Sequence, residues 1–494
     1  MLNITIFLPL MTGLLVLLLP SSQGRAIRGA AFVGSLLTLV SSLALWWGYN
    51  PADGAFQWRS TLPWIPSIGA SYDVAVDGLS IPLIVLTAVL LVMTMAYVLP
   101  RYERAKSHAF LFLLMATGLI GLFASQDLLL FYVFFEIGLV PMYFIIGVWG
   151  HEHRRYAAMK FFLYTRAGSL AMLLAFLGLY LSMEPHTFSY QEIVRSQPLA
   201  GGGPVAGLVL LGLVLGFGVK LPTFPLHNWL PDAHVEAPTE GSVMLAGIQL
   251  KMGAYGLLRI VLGTVPDAAR EYGWVLVALA LISLVYGALA ALAQRDLKRL
   301  IAYTSVNHMG YVLLGTAVFA LTSDPNVRDL AFTGATYQIV SHGLLTGGMF
   351  FLVGMLQDQA GTREMPRFGG LMQPMPVYST IMGLLAFGSL GLPGFSGFIA
   401  EFQVIGATLS VSVLAAVITL LSLIVTTALY LKIVMGVLMG DVPQALPALH
   451  EPPRLQLAVV GTLASLSLLL GTVPGLLVNL IQGASRLTLA GLGR

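Results

Sequence analysis

Six ionisable residues stand alone inside long apolar stretches of this 494-residue chain: Glu136, Lys220, Lys251, His308, His342 and Glu401. Lys220 is the most telling. It closes the run Gly216-Phe217-Gly218-Val219-Lys220-Leu221-Pro222-Thr223-Phe224-Pro225, with no carboxylate beside it in sequence. A lone lysine at the centre of a membrane helix costs about 2.5 to 3.5 kcal/mol on insertion scales. Pro222 and Pro225 each remove a backbone donor and break the helix there. A broken helix survives at membrane depth only where it is buried in protein or lines a wet cavity. A charge beside such a break is how ion pathways are built.

The other five fit the same chemistry. Glu136 is the one charge in the span 128–149, and a carboxylate in hydrocarbon neutralises unless paired; Lys220 is the expected partner. The bland alternative is a structural carboxylate bonded to a neighbouring helix. Lys251 lies about 11 residues into its run, too deep to snorkel to the interface. His308 and His342 can each donate and accept a proton when neutral. Lone intramembrane histidines are often simply satisfied structural groups, but Tyr303, Thr304, Ser305, Gln338 and Ser341 around these two could hold water. Glu401 follows a second break, Leu392-Pro393-Gly394-Phe395, and is either interfacial or part of the pathway. Lys160, Arg166, Arg259 and Lys432 read as interfacial or structural, and Asp127 as the cap of the helix that follows it. His227, Asp232, His234 and Glu236 match no standard zinc spacing, so no metal site is expected.

The elements that must position these groups are membrane spans. The chain is 57% hydrophobic and 10% charged, with mean hydropathy +0.86, against about 25% charged residues in soluble proteins. Apolar runs of spanning length fall near 2–20, 27–48, 78–99, 109–125, 128–149, 157–182, 204–226, 240–263, 272–293, 298–321, 330–356, 376–400, 405–439 and 455–481. That predicts an all-α polytopic protein of about 14 helices, with a kink or lateral piece in the long run 405–439. The N-terminus lacks the basic region of a signal peptide and reads as a first span. One set of loops carries Arg25, Arg28, Arg101, Arg104, Lys106, Arg154, Arg155, Arg295, Lys298, Arg299, Arg363, Arg367 and Arg454; the other has Arg59, Arg195, Arg270, Arg328, Arg486 and Arg494. The positive-inside rule makes the first set cytoplasmic and turns both termini outward. The net charge of +3 does not signal nucleic acid. The absence of cysteine excludes disulfides and cysteine-ligated iron–sulfur clusters on this chain.

An internal repeat is visible. Leu221-Pro222-Thr223-Phe224 recurs 171 residues on as Leu392-Pro393-Gly394-Phe395, and the same shift sets Glu136 against Asn307, beside His308. Interrupted helices in corresponding positions point to a transporter's site. With about five spans per copy, the two copies are inverted. The expected organisation is 1–108 (helices 1–3), 109–263 (first repeat), 264–440 (second repeat) and 441–494 (last helix and tail).

Taken together, these stretches resemble the antiporter-like subunits of respiratory complex I (NADH:quinone oxidoreductase). The resemblance covers nearly the whole chain. It is carried by Val76-Asp77-Gly78-Leu79-Ser80, Phe135-Glu136, the segment Lys220 to His234, Glu236-Ala237-Pro238-Thr239, Gly253-Ala254-Tyr255-Gly256, Asp296 to Tyr303, and Gly391 to Phe398. Glu401, where lysine is more usual in the other branches, and the short tail favour the M-type branch; Thr304 and Asn307 depart mildly from the usual serines. The resemblance implies 14 helices with two inverted five-helix repeats. It implies proton translocation from Glu136 and Lys220 through Lys251, His308 and His342 to Glu401, in an inner membrane. It places NADH, flavin (FMN), iron–sulfur clusters and quinone on partner subunits, with L- and N-type chains and small membrane chains as neighbours. A subunit of a multisubunit sodium/proton antiporter, the equivalent chain of a hydrogenase or photosynthetic NDH-type complex, and a purely structural membrane subunit are the other readings. The run of isolated charges disfavours the last, because a structural chain has no reason to bear their cost.

Overall fold

The computed structural model describes residues 1–53, 55–100, 104–443 and 447–491; Arg101 and Arg494 of the loop-charge pattern lie outside the described residues. Ten helices among the described residues are long and apolar enough to cross a membrane. They include α2 (Gly24–Trp47), α3 (Ser80–Val98), α4 (Ala105–Ala124), α5 (Leu128–Trp149) and α6 (Arg154–Leu181). The peripheral helix α1 (Leu2–Leu18) precedes them. The seventh crossing is split into α7 (Pro204–Lys220) and α8 (Trp229–Glu236). Then come α9 (Thr239–Thr264), α10 (Gly273–Leu292), α11 (Leu297–Leu321) and α12 (Pro325–Ala360). The twelfth crossing is split into α13 (Pro376–Ser389) and α14 (Ser396–Val411). α15 (Val413–Leu438) and α16 (Arg454–Thr472) complete fourteen crossings, and α17 (Gly475–Gly491) follows.

Three boundaries differ from the sequence reading, each for a local reason. The run 376–400 is not one span, because Gly391 and Gly394 take positive φ (+80° and +99°) around Pro393 and end α13. The run 405–439 is the end of α14 joined to α15; the Ser412 side chain accepts from Ala415 N–H and starts a new helix. The run 455–481 ends at Thr472, with Pro474 separating α16 from α17.

Each set of five crossings, α4 to α9 and α10 to α15, breaks at its fourth member. An odd number of crossings per set turns the second copy over relative to the first, which gives the two inverted repeats. α6 packs on α7, α10 on α11, α11 on α12 and α12 on α14. α9 and α12 are wholly enclosed by the other helices, whereas α2 and α16 present most of their surface outward. Outward leucines such as Leu174, Leu208 and Leu414 suit a lipid surround.

Between α2 and α3 lies an unanticipated antiparallel hairpin, β1 (Gln57–Ile65) and β2 (Ala70–Val76). Asp73 of β2 accepts from Arg59 (2.7 and 3.0 Å) and Thr61 (3.0 Å), which holds the hairpin together. Asp127 caps α5 through Leu129 and Leu130 N–H, as expected, and also accepts from Ser71 N–H (2.9 Å), tying the hairpin to α5.

Candidate functional site: a buried polar row across two broken helices

At the first break, Lys220 is the last residue of α7 and is almost wholly buried. A cation there meets the negative end of the helix dipole and its unpaired carbonyls. Its ammonium lies over the rings of Phe135 (5.8 Å) and Phe161 (5.2 Å) and donates to Gln249 Oε1 at 3.5 Å. Gln249 in turn donates to Gly138 O (2.6 Å), so it bridges Lys220 to the helix that carries Glu136. Gly253 lets α9 approach this closely: a Cβ there would stand 2.4 Å from Phe217 O and 2.8 Å from Leu221 N.

Glu136 lies on the helix that Gln249 joins to Lys220, but its ion-pair partner is not the expected one. Its Oε2 meets Arg166 Nη1 of α6 at 2.6 Å, and Tyr132 accepts from the same nitrogen at 3.3 Å. Arg166, read as interfacial or structural, therefore belongs to the site. Glu136 Oε1 is buried and has no partner.

Lys251 sits on α9 between two π-helical segments, Leu245–Gln249 and Leu257–Val261. In the first, Leu250 N–H reaches back to Leu245 O instead of Ala246 O. Lys251 Nζ donates to the Ala246 carbonyl at 2.6 Å, and meets His342 Nδ1 of α12 at 2.6 Å. Such bulges are frequent at functional sites. The His342 and His308 rings lie 5.8 Å apart. His308 Nδ1 faces Glu401 Oε1 (3.4 Å) and Gln338 Nε2 (3.3 Å), and its Nε2 faces Tyr430 OH (3.4 Å). The order along the row is thus Lys251, His342, His308, Glu401, with the histidines in the reverse of the expected sequence.

Glu401 folds back onto the second break. A Cβ on Gly391 would lie 2.5 Å from Glu401 Oε2. Gly391 is 171 residues from Lys220, so the carboxylate lies beside the second copy's counterpart of Lys220. His308, Gln338, Ser341, His342, Ser389 and Glu401 line a cavity of about 10 Å3 in the space open to a water's centre, room for about one molecule. Glu401 Oε2, His342 Nε2 and Gln338 Oε1 are buried without partners. These are the groups through which water could complete the row.

The other polar residues singled out in the sequence make ion pairs, hydrogen bonds or ring contacts away from this row. Lys160 (2.6 Å) and Arg299 (2.7 Å) both pair with Asp232, Glu236 accepts from His153 N–H (2.8 Å), and His227 and His234 stack on Phe224 and Phe350. Lys432 donates to Leu292 O and Gln294 O at the end of α10. Arg259 is buried on the second π segment and pairs with Asp77, whose other oxygen caps the start of α3. It is structural, not interfacial. Gln249 was missed; its only signal was a buried amide two residues before a buried lysine.

A family model described as NADH:quinone oxidoreductase/Mrp antiporter, TM matches residues 125–427. The chain is 37% identical over 487 residues to "NADH-quinone oxidoreductase subunit M" of Rickettsia prowazekii, covering 97% of this chain and 96% of that one. It is 40% identical over 407 residues to "NAD(P)H-quinone oxidoreductase chain 4 2" of Thermosynechococcus vestitus, covering 82% and 74%. Among solved structures, a chain of respiratory complex I from Thermus thermophilus superposes with a TM-score of 0.87 at 30% identity, covering 100% of this chain and 99% of that one. The chain belongs to the NADH:quinone oxidoreductase/Mrp antiporter family of membrane proteins, as an antiporter-like member of the M-subunit type.

Proposed function

We propose that this chain is a proton-translocating membrane-arm subunit of an NADH:quinone oxidoreductase, moving protons along Glu136, Lys220, Lys251, His342, His308 and Glu401. The observation that carries this is the row of neighbouring buried groups Lys251–His342–His308–Glu401 at the centre of two inverted repeats. The family relation supports the coupling to NADH and quinone chemistry.

Lys220 is the switch. An approaching carboxylate favours the charged form of a lysine, and its retreat removes that support. Glu136 has two cations to choose from, Arg166 at 2.6 Å and Lys220 across the Gln249 bridge. Movement of Glu136 from Arg166 toward Lys220 charges the lysine; the return releases its proton toward Lys251. Each tenfold change in protonation corresponds to about 1.4 kcal/mol, which a small change in pair distance supplies in a low-dielectric site. Lys251 passes the proton to His342 and His308, and Glu401 gates its exit. The breaks at Pro222 and Pro393 let the half-helices shift.

In this reading the organisation is 1–108, 109–263, 264–440 and 441–494, both termini face outward, and the membrane is a bacterial inner membrane. NADH, flavin, iron–sulfur and quinone chemistry sit on partner subunits, including L- and N-type chains. The family description also names Mrp antiporters. Gentle extraction with identification of co-purifying chains separates the two readings: redox subunits support this one, and only small membrane chains support the antiporter.

The direct test is Lys220→Ala in native membranes. The complex is expected to assemble and to lose NADH-driven proton uptake. Normal uptake at wild-type subunit levels would overturn the proposal.

A further inference from the structure

A serine in a membrane helix ordinarily bonds back to a carbonyl of its own helix, as Ser283 does to Leu279 O and Ser389 to Leu385 O. Three serines here do otherwise. Ser341 Oγ of α12 lies 2.8 Å from Ser396 Oγ, which lies 2.8 Å from Ser467 Oγ of α16. All three are buried, and their hydrogen bonds among the described residues go to one another. The series starts at the cavity shared by His308, His342 and Glu401, which Ser341 lines. It crosses Ser396, the first residue of α14 after the break, and ends on α16.

The packing is built for this approach. A Cβ on Gly471, one turn beyond Ser467, would stand 2.3 Å from Gly394 O and 2.4 Å from Phe395 Cα, so α16 lies directly on the break. A Cβ on Gly397 would meet Gly388 O at 2.4 Å. Gly471 thus brings α16 within hydroxyl reach of the start of α14, and Gly397 seats α14 on α13.

We propose that Ser341, Ser396 and Ser467 form a hydroxyl relay that carries the proton from the Glu401 cavity to α16; this rests on the proton-translocating reading above. A hydroxyl both donates and accepts, so a row of three conducts by a concerted shift. The Glu401 carboxyl gives its proton, through the single water the cavity can hold, to Ser341 Oγ. Ser341 gives its own proton to Ser396, Ser396 gives its own to Ser467, and Ser467 gives its own to a water that enters from the Thr472 end of α16 to reach the buried hydroxyl. Each oxygen gains one proton and loses one, no other bond changes, and Glu401 is left as carboxylate. Ser467 is five residues from the Thr472 end of α16, about 8 Å at 1.5 Å per residue, on the side assigned above as outer.

The test replaces Ser396 and Ser467, one at a time, by threonine and by valine in the intact complex. The two replacements share a shape and differ in the hydroxyl, so a defect of shape lowers both alike, and lost hydrogen bonding that lowers assembly is removed by normalising to assembled subunit. NADH-driven proton uptake is measured per unit of assembled subunit. The valine variants are expected to pump at least about threefold more slowly than the threonine variants. Equal uptake by the threonine and valine variants, whatever their level, overturns the relay. If Lys220→Ala itself pumps normally, the translocation reading fails first; loss in Lys220→Ala with equal threonine and valine variants removes the relay alone.

Discussion

The two broken helices share a backbone design and carry opposite charges. At the first, α7 ends in an ammonium, and the carboxylate Glu136 comes from a neighbouring helix already paired with Arg166. At the second, the corresponding position is Gly391, and the charge is a carboxylate folded back from α14 against a histidine. A cation suits the carbonyl-rich end of α7, while Gly391 leaves the room that Glu401 fills. The repeat therefore conserves the break, not the group placed in it. Under the proposed mechanism, an ammonium near a carboxylate that has a second cation suits proton loading, and a carboxylate beside a histidine suits relay and release.

Removing the charge from the second break should have the largest effect on this contrast. Glu401→Gln keeps the shape but cannot cycle a proton, and NADH-driven uptake in membrane vesicles is expected to fall by about tenfold or more. Wild-type uptake would reduce Glu401 to a packing group. Arg166→Ala tests the first break more gently. Without Arg166 the Glu136 carboxylate loses the cation to which it returns; the pair is partly exposed and worth about 1 kcal/mol or less, so uptake is expected to fall by up to about fivefold. Unchanged uptake would remove Arg166 from the switch.

The two glycines bear on stability rather than on uptake. A methyl on Gly253 meets backbone atoms, which cannot yield cheaply, and Gly253→Ala should cost about 1 to 3 kcal/mol. A methyl on Gly391 meets only the tip of Glu401, and the cost there is the positive φ, about 1 kcal/mol. Thermal unfolding of the purified assemblies should rank Gly253→Ala below Gly391→Ala. The reverse order would mean that the second break is the more tightly packed.

Much of this was legible in the sequence because charge in an apolar run is conspicuous. Glu136, Lys220, Lys251 and Glu401 announce themselves by isolation, and the Leu-Pro breaks by composition. What was hidden depends on rotation about helices and on contacts between them. Depth along α11 and α12 does not say which of His308 and His342 faces Lys251, so their order came out reversed. Arg166 reads from sequence as interfacial or structural because its partner lies 30 residues away on another helix. The π segments around Lys251 leave no compositional trace. The start of α15 had a signal, the cap at Ser412, masked by an apolar run on both sides.

Lys251 is the point where the halves meet: it shares α9 with Gln249, which holds Lys220, and it touches His342 of the second repeat. NADH-driven proton uptake by Lys251→Ala in native membranes is therefore the most direct test of a single row. The account predicts that uptake is lost at wild-type subunit levels. Undiminished uptake would contradict it and leave the two breaks as separate sites.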